Sequence, residues 1–170
     1  VIGLIATFVA TKYMSDKQAQ RLETTIQDVL EQSGIFHSPV VEKKDKTFLV
    51  ETLQEEINNY DIDYSEVDIY YTDNTYYLPA KPSDMENIKK LDVLDKLPYR
   101  PERFDSEDFS QTFSVLTSFL FGVNSVGTVI EYNSDESYNI IVYRDGTVEF
   151  YKSKGDIDDD HSLDRGVIIF

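Results

Sequence analysis

The feature that most constrains this chain is its beginning. Val1-Ile2-Gly3-Leu4-Ile5-Ala6-Thr7-Phe8-Val9-Ala10-Thr11 carries no charge, and the first ionised side chain is Lys12. As a helix this stretch covers roughly 17 Å at ~1.5 Å per residue, against a bilayer core of ~30 Å, so it does not span a membrane alone. No basic region precedes it, which separates it from a secretory signal core. Over residues 15–33 the apolar side chains Ala19, Leu22, Ile26, Val29 and Leu30 recur at spacings of three and four, a single helical stripe. Gly34 is a natural stop, and no proline occurs before Pro39. The expected division is an N-terminal helix over 1–34, apolar over 1–13 and amphipathic over 14–33, followed by a globular α+β domain over 35–170.

Three environments satisfy such a start. The apolar third of the helix packs against copies of itself in a filament core, or it is part of a membrane anchor feeding a stalk, or it is an ordinary core helix. Composition narrows the function classes around it. With 32 acidic and 16 basic side chains the net charge is −16, so nucleic acid is not a default partner and an anionic membrane surface offers no electrostatic attraction. There is no Cys, which excludes disulfides, thiolate metal sites and cysteine nucleophiles. His37 and His161 are the only histidines, too few for a multi-histidine centre. Tyr and Phe are plentiful, 12 and 10, which suits a β-rich domain.

Periodicity predicts a second helix over 47–59, with Phe48, Leu49, Leu53 and Ile57 on one face and Asp45 or Thr47 as its cap. Residues 67–71 and 75–78 flank Asp73-Asn74 and read as a tyrosine-rich hairpin. Residues 79–105 hold four of the five prolines and read as a surface excursion with a short helix over 83–91. Ser106 then opens a helix with Phe109, Phe113, Leu116, Phe119 and Leu120 on its core face, ending near Gly122. Residues 126–132, 138–143, 147–151 and 166–170 are expected to be strands, and Asp145-Gly146 is expected to make a two-residue hairpin between the second and third.

That element order, joined to the apolar start, resembles the type IV pilin-like family of pilins and pseudopilins. The resemblance is carried by Val1 to Ala10, similar to the middle of the family's apolar helix, and by Lys12-Tyr13, where it turns polar. It covers about the first 33 residues in detail and the remainder in architecture alone. It implies an α+β fold in which the long N-terminal helix packs on a C-terminal antiparallel β-sheet, with an irregular α/β region between. It also implies a non-enzymatic structural subunit of an extracellular, cell-surface filament, a homo-oligomer that associates with a membrane before assembly. The assembly helix would use Val1, Ile2, Leu4, Ile5, Phe8 and Val9, with close contacts through Gly3, Ala6 and Ala10. Family members start with Phe and carry Glu at the fifth residue; here Val1 and Ile5 stand there, and no Glu precedes Glu23. The alternative is a membrane-anchored extracytoplasmic binding or adaptor domain.

Few residues suggest chemistry. Asp156, Asp158, Asp160 and Asp164 fall at ligand positions of a calcium loop, because a hard cation takes carboxylates at alternate residues. His161 then stands where the turn needs Gly, and Val167 where the bidentate Glu belongs, so a calcium site competes with a solvated acidic loop. His161-Ser162 beside these aspartates lacks a nucleophile elbow. Glu55/Glu56 and Glu107/Asp108 fit helix faces and first-turn charge better than acid–base pairs. The pairs Tyr70/Tyr71 and Tyr76/Tyr77 alternate faces on strands, so one of each pair is expected to point outward, as sheet surface or as an adhesive contact.

Overall fold

The computed structural model describes residues 39–59, 66–91, 105–132, 136–152 and 165–170, all within one compact unit, Pro39–Phe170. The expected assembly helix, with Val1, Ile2, Leu4, Ile5, Phe8 and Val9, lies outside the described residues, as do His37, Asp156, Asp158, Asp160, His161 and Asp164.

β1 (Val41–Asp45) runs directly into α1 (Lys46–Asn59), whose first turn is capped by Asp45: Oδ1 accepts from the Phe48 N–H at 3.1 Å. β2 (Val67–Tyr70) and β3 (Thr75–Pro79) follow, then α2 (Pro82–Leu91), with Pro82 at the first helical position, where a missing N–H costs nothing. α3 (Ser106–Phe121) is capped by Asp105 rather than Ser106. The Asp105 side chain accepts from the helix's first-turn backbone while Asp108 Oδ2 accepts from the Asp105 N–H, a reciprocal capping box. Gly122, at φ 67°, ends it in the left-handed conformation. β4 (Val126–Glu131), β5 (Ser137–Val142), β6 (Val148–Tyr151) and β7 (Gly166–Ile169) complete the order. The β5–β6 connection falls at Asp145-Gly146 but is a three-residue loop rather than the expected two-residue one: the Tyr143 N–H donates to the Thr147 carbonyl across Arg144, Asp145 and Gly146, with Gly146 at φ 85°.

The expected architecture, a long N-terminal helix on a C-terminal antiparallel sheet, is overturned. The described residues hold seven strands in two sheets and three helices of 10–16 residues. The larger sheet is mixed, in the order β2-β7-β4-β5-β6, because β7 pairs parallel with β2 and antiparallel with β4. The helix packed on β4 and β5 is α3, from the second half of the chain. The expected hairpin between β2 and β3 is also absent: β3 pairs with β1 in a separate two-stranded sheet. Burial is the reason. Tyr76 and Leu78 of β3 point into the core beneath the large sheet, which removes β3 from the plane of β2.

The central strands β4 and β5 are therefore covered on both faces. On one side Leu49 and Leu53 of α1 and Tyr76 and Leu78 of β3 pack against Val67, Val129, Tyr138, Ile140, Val142, Ile168 and Phe170. On the other lies α3, through Phe109, Phe113 and the small buried Ser110 and Thr117. β5 is buried at every position for this reason. Asn139, fully buried beneath α3, donates from Nδ2 to the Ser110 carbonyl at 2.8 Å and the Gly127 carbonyl at 3.1 Å, tying helix to sheet.

Gly127 marks the tightest approach on the other face. A Cβ there would meet Ile140 Cγ2 and the Phe170 ring at 3.0 Å. The Phe170 ring also stacks on Tyr71, centroids 6.0 Å apart, and meets Tyr76 edge-on at 6.2 Å. Gly127→Val is expected to destabilise the chain by about 1–3 kcal/mol through overpacking, read by urea denaturation. Gly127→Val/Phe170→Leu should lose less than the sum of the two single variants, since the smaller side chain vacates the contested space.

Candidate functional site

Two regions of the described residues stand out, one by its charges and one by its exposure. The first forms where α2 meets β6. Lys89 reaches from α2 to Glu149, with which it forms an ion pair, and to Glu86 Oε1 at 3.3 Å. Its ammonium also sits 5.3 Å from the Tyr151 ring centroid. The other oxygen of Glu149 accepts the Tyr143 hydroxyl proton, and Tyr143 is fully buried. Every charge is thereby engaged by another protein group: one cation faces two carboxylates and an aromatic face. Such a cluster fastens α2 to the sheet edge and leaves no nucleophile beside a free base.

Burial pushes the Tyr143 hydroxyl well above the ordinary phenol range, and the bond to Glu149 adds to that. Tyr138 behaves alike. Burial is the main cause, followed by the charge of Glu131, whose Oε1 accepts the phenol proton at 2.9 Å. Both phenols are held neutral in the folded chain.

The second region is the β2–β7 end of the sheet. Tyr70 and Ile169 are cross-strand partners, and Ile169 is in turn opposite Thr128, which is opposite Asn139. That row faces the α3 side, yet α3 packs on β4 and β5, and Tyr70 and Ile169 are left 57% and 38% exposed. Asp68, two residues before Tyr70 on the same face, is exposed as well.

The alternation expected of the tyrosine pairs is present: Tyr70 and Tyr77 are exposed, Tyr76 is buried, and Tyr71 stacks on Phe170. Of the acidic pairs, Asp108 serves the capping box, and Glu107 Oε1 accepts from Gln111 Nε2 at 2.7 Å. No group of three or more potential ligands is placed to hold a metal among the described residues, and the calcium-loop aspartates lie outside them. No described helix is long and apolar enough to cross a membrane. Sequence reasoning missed Lys89, Tyr143 and Glu149. Lys89 and Glu149 are 60 residues apart, and no local pattern signals such a pair.

No protein-family model and no curated protein matches the chain by sequence. Solved structures do match its fold. The PSL1a-E64 complex aligns with TM-score 0.59 at 18% identity, over 75% of this chain and 51% of that one. Polyporus squamosus lectin bound to the human-type influenza-binding epitope Neu5Aca2-6Galb1-4GlcNAc aligns with TM-score 0.56 at 19% identity, over 75% and 49%. The chain thus spans about half the length of these structures, and at such identity the likeness is one of fold alone.

The buried phenols set an alkaline limit. Folded Tyr138 and Tyr143 keep their protons above the pH at which an unfolded phenol, with pKa about 10, loses its own. Their contribution is intact below pH ~10 and is lost as pH rises above it, by about 1.4 kcal/mol per unit for each group. Denaturation midpoints should fall steeply from about pH 10 upward, and Tyr138→Phe should flatten that fall while costing stability at neutral pH.

Proposed function

We propose that the chain is a tethered, non-catalytic binding or adaptor domain. Residues 39–170 form the module, and the apolar stretch 1–11 with the amphipathic stretch 15–33 holds it at the extracytoplasmic face of a membrane. The observation that carries this reading is that the described domain covers both faces of its central strands β4 and β5 with its own elements, α1 and β3 on one side and α3 on the other. A module of that kind needs no N-terminal helix to complete its core. The acidic surface, at net charge −16, suits a soluble displayed domain.

A second reading is self-assembly of the same apolar stretch into a pilin-like filament. The small residues Gly3, Ala6 and Ala10 favour it, because they let helix backbones approach closely.

Flotation of the full chain with phosphatidylcholine vesicles tests the tether, and negative-stain microscopy of the same material tests assembly. The chain is expected to float with the vesicles without forming filaments. Phe8→Asp should abolish flotation and leave the domain's unfolding midpoint unchanged, since the charge enters an apolar environment outside the module. Filaments that vanish in Phe8→Asp would establish the assembly reading instead. A chain that neither floats nor assembles overturns both.

A further inference from the structure

The exposed shelf at the β2–β7 end of the sheet calls for a partner. Tyr70 and Ile169 sit side by side on adjacent strands, about 4.8 Å apart at the backbone, and Asp68 lies about 7 Å along β2 on the same face. Val167, the cross-strand partner of Asp68, is buried and forms the floor. Among the described residues β2 ends the strand order, so there the shelf opens sideways at a sheet edge. The ion pair beside it, Arg165 Nε to Glu66 Oε2 at 3.5 Å, uses neither Asp68 nor Tyr70.

We propose that this shelf docks an extended, lysine- or arginine-bearing segment of another protein, an inference that rests on the binding-domain reading above. Charge decides the occupant. A second copy of this chain would set another Asp68 and a net-acidic chain against the shelf, and a wholly apolar segment would bury the Asp68 carboxylate without a counter-charge. A cationic segment meets both demands: its ammonium or guanidinium groups lie over the Tyr70 ring and against Asp68, and its aliphatic side chains cover Ile169. The spacing fits an extended chain, in which alternate side chains on one face repeat at about 7 Å, the separation of Asp68 from Tyr70. At four residues β2 is too short to template indiscriminate edge pairing, so side chains rather than backbone select the partner.

The test uses the full chain and three dye-labelled octapeptides, alternating Lys-Val, Lys-Ser and Glu-Val, followed by fluorescence anisotropy at ~150 mM salt, where distant surface charges are screened. Lys-Val is expected to bind at least about tenfold more tightly than Lys-Ser or Glu-Val. Tyr70→Thr, Ile169→Thr and Asp68→Asn should each weaken Lys-Val by about fivefold or more, while Val115→Ala, on the exposed side of α3, changes nothing. Asp68→Asn alters one charge on an exposed residue, so it remains informative if the apolar variants fold poorly. Equal binding of Lys-Val and Lys-Ser, or indifference to all three variants, overturns the proposal in favour of diffuse attraction to an acidic surface. Preference for Glu-Val that is lost in Tyr70→Thr overturns the cationic partner and leaves the binding-domain reading standing. Absence of binding by every peptide overturns the docking surface, while the tether is judged separately by flotation.

Discussion

The insertion of β7 between β2 and β4 is the constraint on which the rest of the structure depends. The Thr72 N–H donates to the Phe170 carbonyl at 2.9 Å, across 98 residues of chain, and the Phe170 N–H donates to the Tyr70 carbonyl at 2.9 Å. Without that strand β2 has no partner in the large sheet, β4 becomes an edge, and the Phe170 ring no longer fills the space above Gly127. Closing so long a loop costs entropy that only the long-range contacts of β7 repay, whereas the β4-β5-β6 meander is made from short-range pairings. The parallel register between β2 and β7 follows, because no tight turn connects them and direction is set by packing alone.

Once the sheet is assembled, both of its faces become interiors, and polar groups there must find partners. The Asn139 Nδ2 meets this by donating to one carbonyl of α3 and one of β4, while its Oδ1 is buried without a hydrogen-bond partner among the described residues. The Ser114 hydroxyl of α3 donates to the Val126 carbonyl at 2.5 Å, so the α3–sheet seam is laced by hydrogen bonds as well as by phenylalanines, and the Ser125 hydroxyl, just before β4, donates to the Val142 carbonyl of β5 at 2.9 Å. The opposite face is mainly aromatic and aliphatic, centred on Phe170 with Tyr71 and Tyr76, and on Tyr138 with Phe150 edge-on at 5.7 Å, with a buried polar contact from the Tyr138 hydroxyl to Glu131. The two seams therefore differ in kind. One is directional and hydrogen-bonded; the other is close-packed and intolerant of added volume.

The same assembly decides where the surface is interesting. α3 is wide enough to cover β4 and β5 but not the strands that β7 recruits, so the last two strands of the sheet present Tyr70 and Ile169 outward. At the other end the electrostatics are closed. Lys89, Glu86, Glu149 and Tyr143 satisfy one another, and the cluster's role is to hold α2 in place. A charge cluster with every member paired is a fastening, while an aromatic side chain left half-exposed at a sheet edge is available to something else.

Much of the local structure was legible because it has local causes. Helices over 46–59 and 106–121, the Gly122 stop, the place of the β5–β6 connection at Asp145-Gly146 and the β4-β5-β6 meander all follow from side-chain periodicity and backbone chemistry within a few residues, whereas the choice of Asp45 over Thr47 as cap and the three-residue length of that connection do not. The alternation of Tyr70/Tyr71 and Tyr76/Tyr77 likewise followed from the two-residue period of a strand. The reading failed where a choice of partner was involved. β2 and β3 look like a hairpin through Asp73-Asn74, but each finds a more rewarding surface elsewhere, β2 against β7 and β3 against β1. The Lys89–Glu149 contact and the exposed Tyr70–Ile169 pair have no local signature either, since their members lie 60 and 99 residues apart. What the amino-acid sequence determined by itself was the identity of the elements, their caps and turns, the strongly acidic balance and the absence of cysteine chemistry. The tertiary structure alone decided which strands pair, which sheet face is left open and which charges meet, because those outcomes depend on burying apolar area between elements distant in the chain.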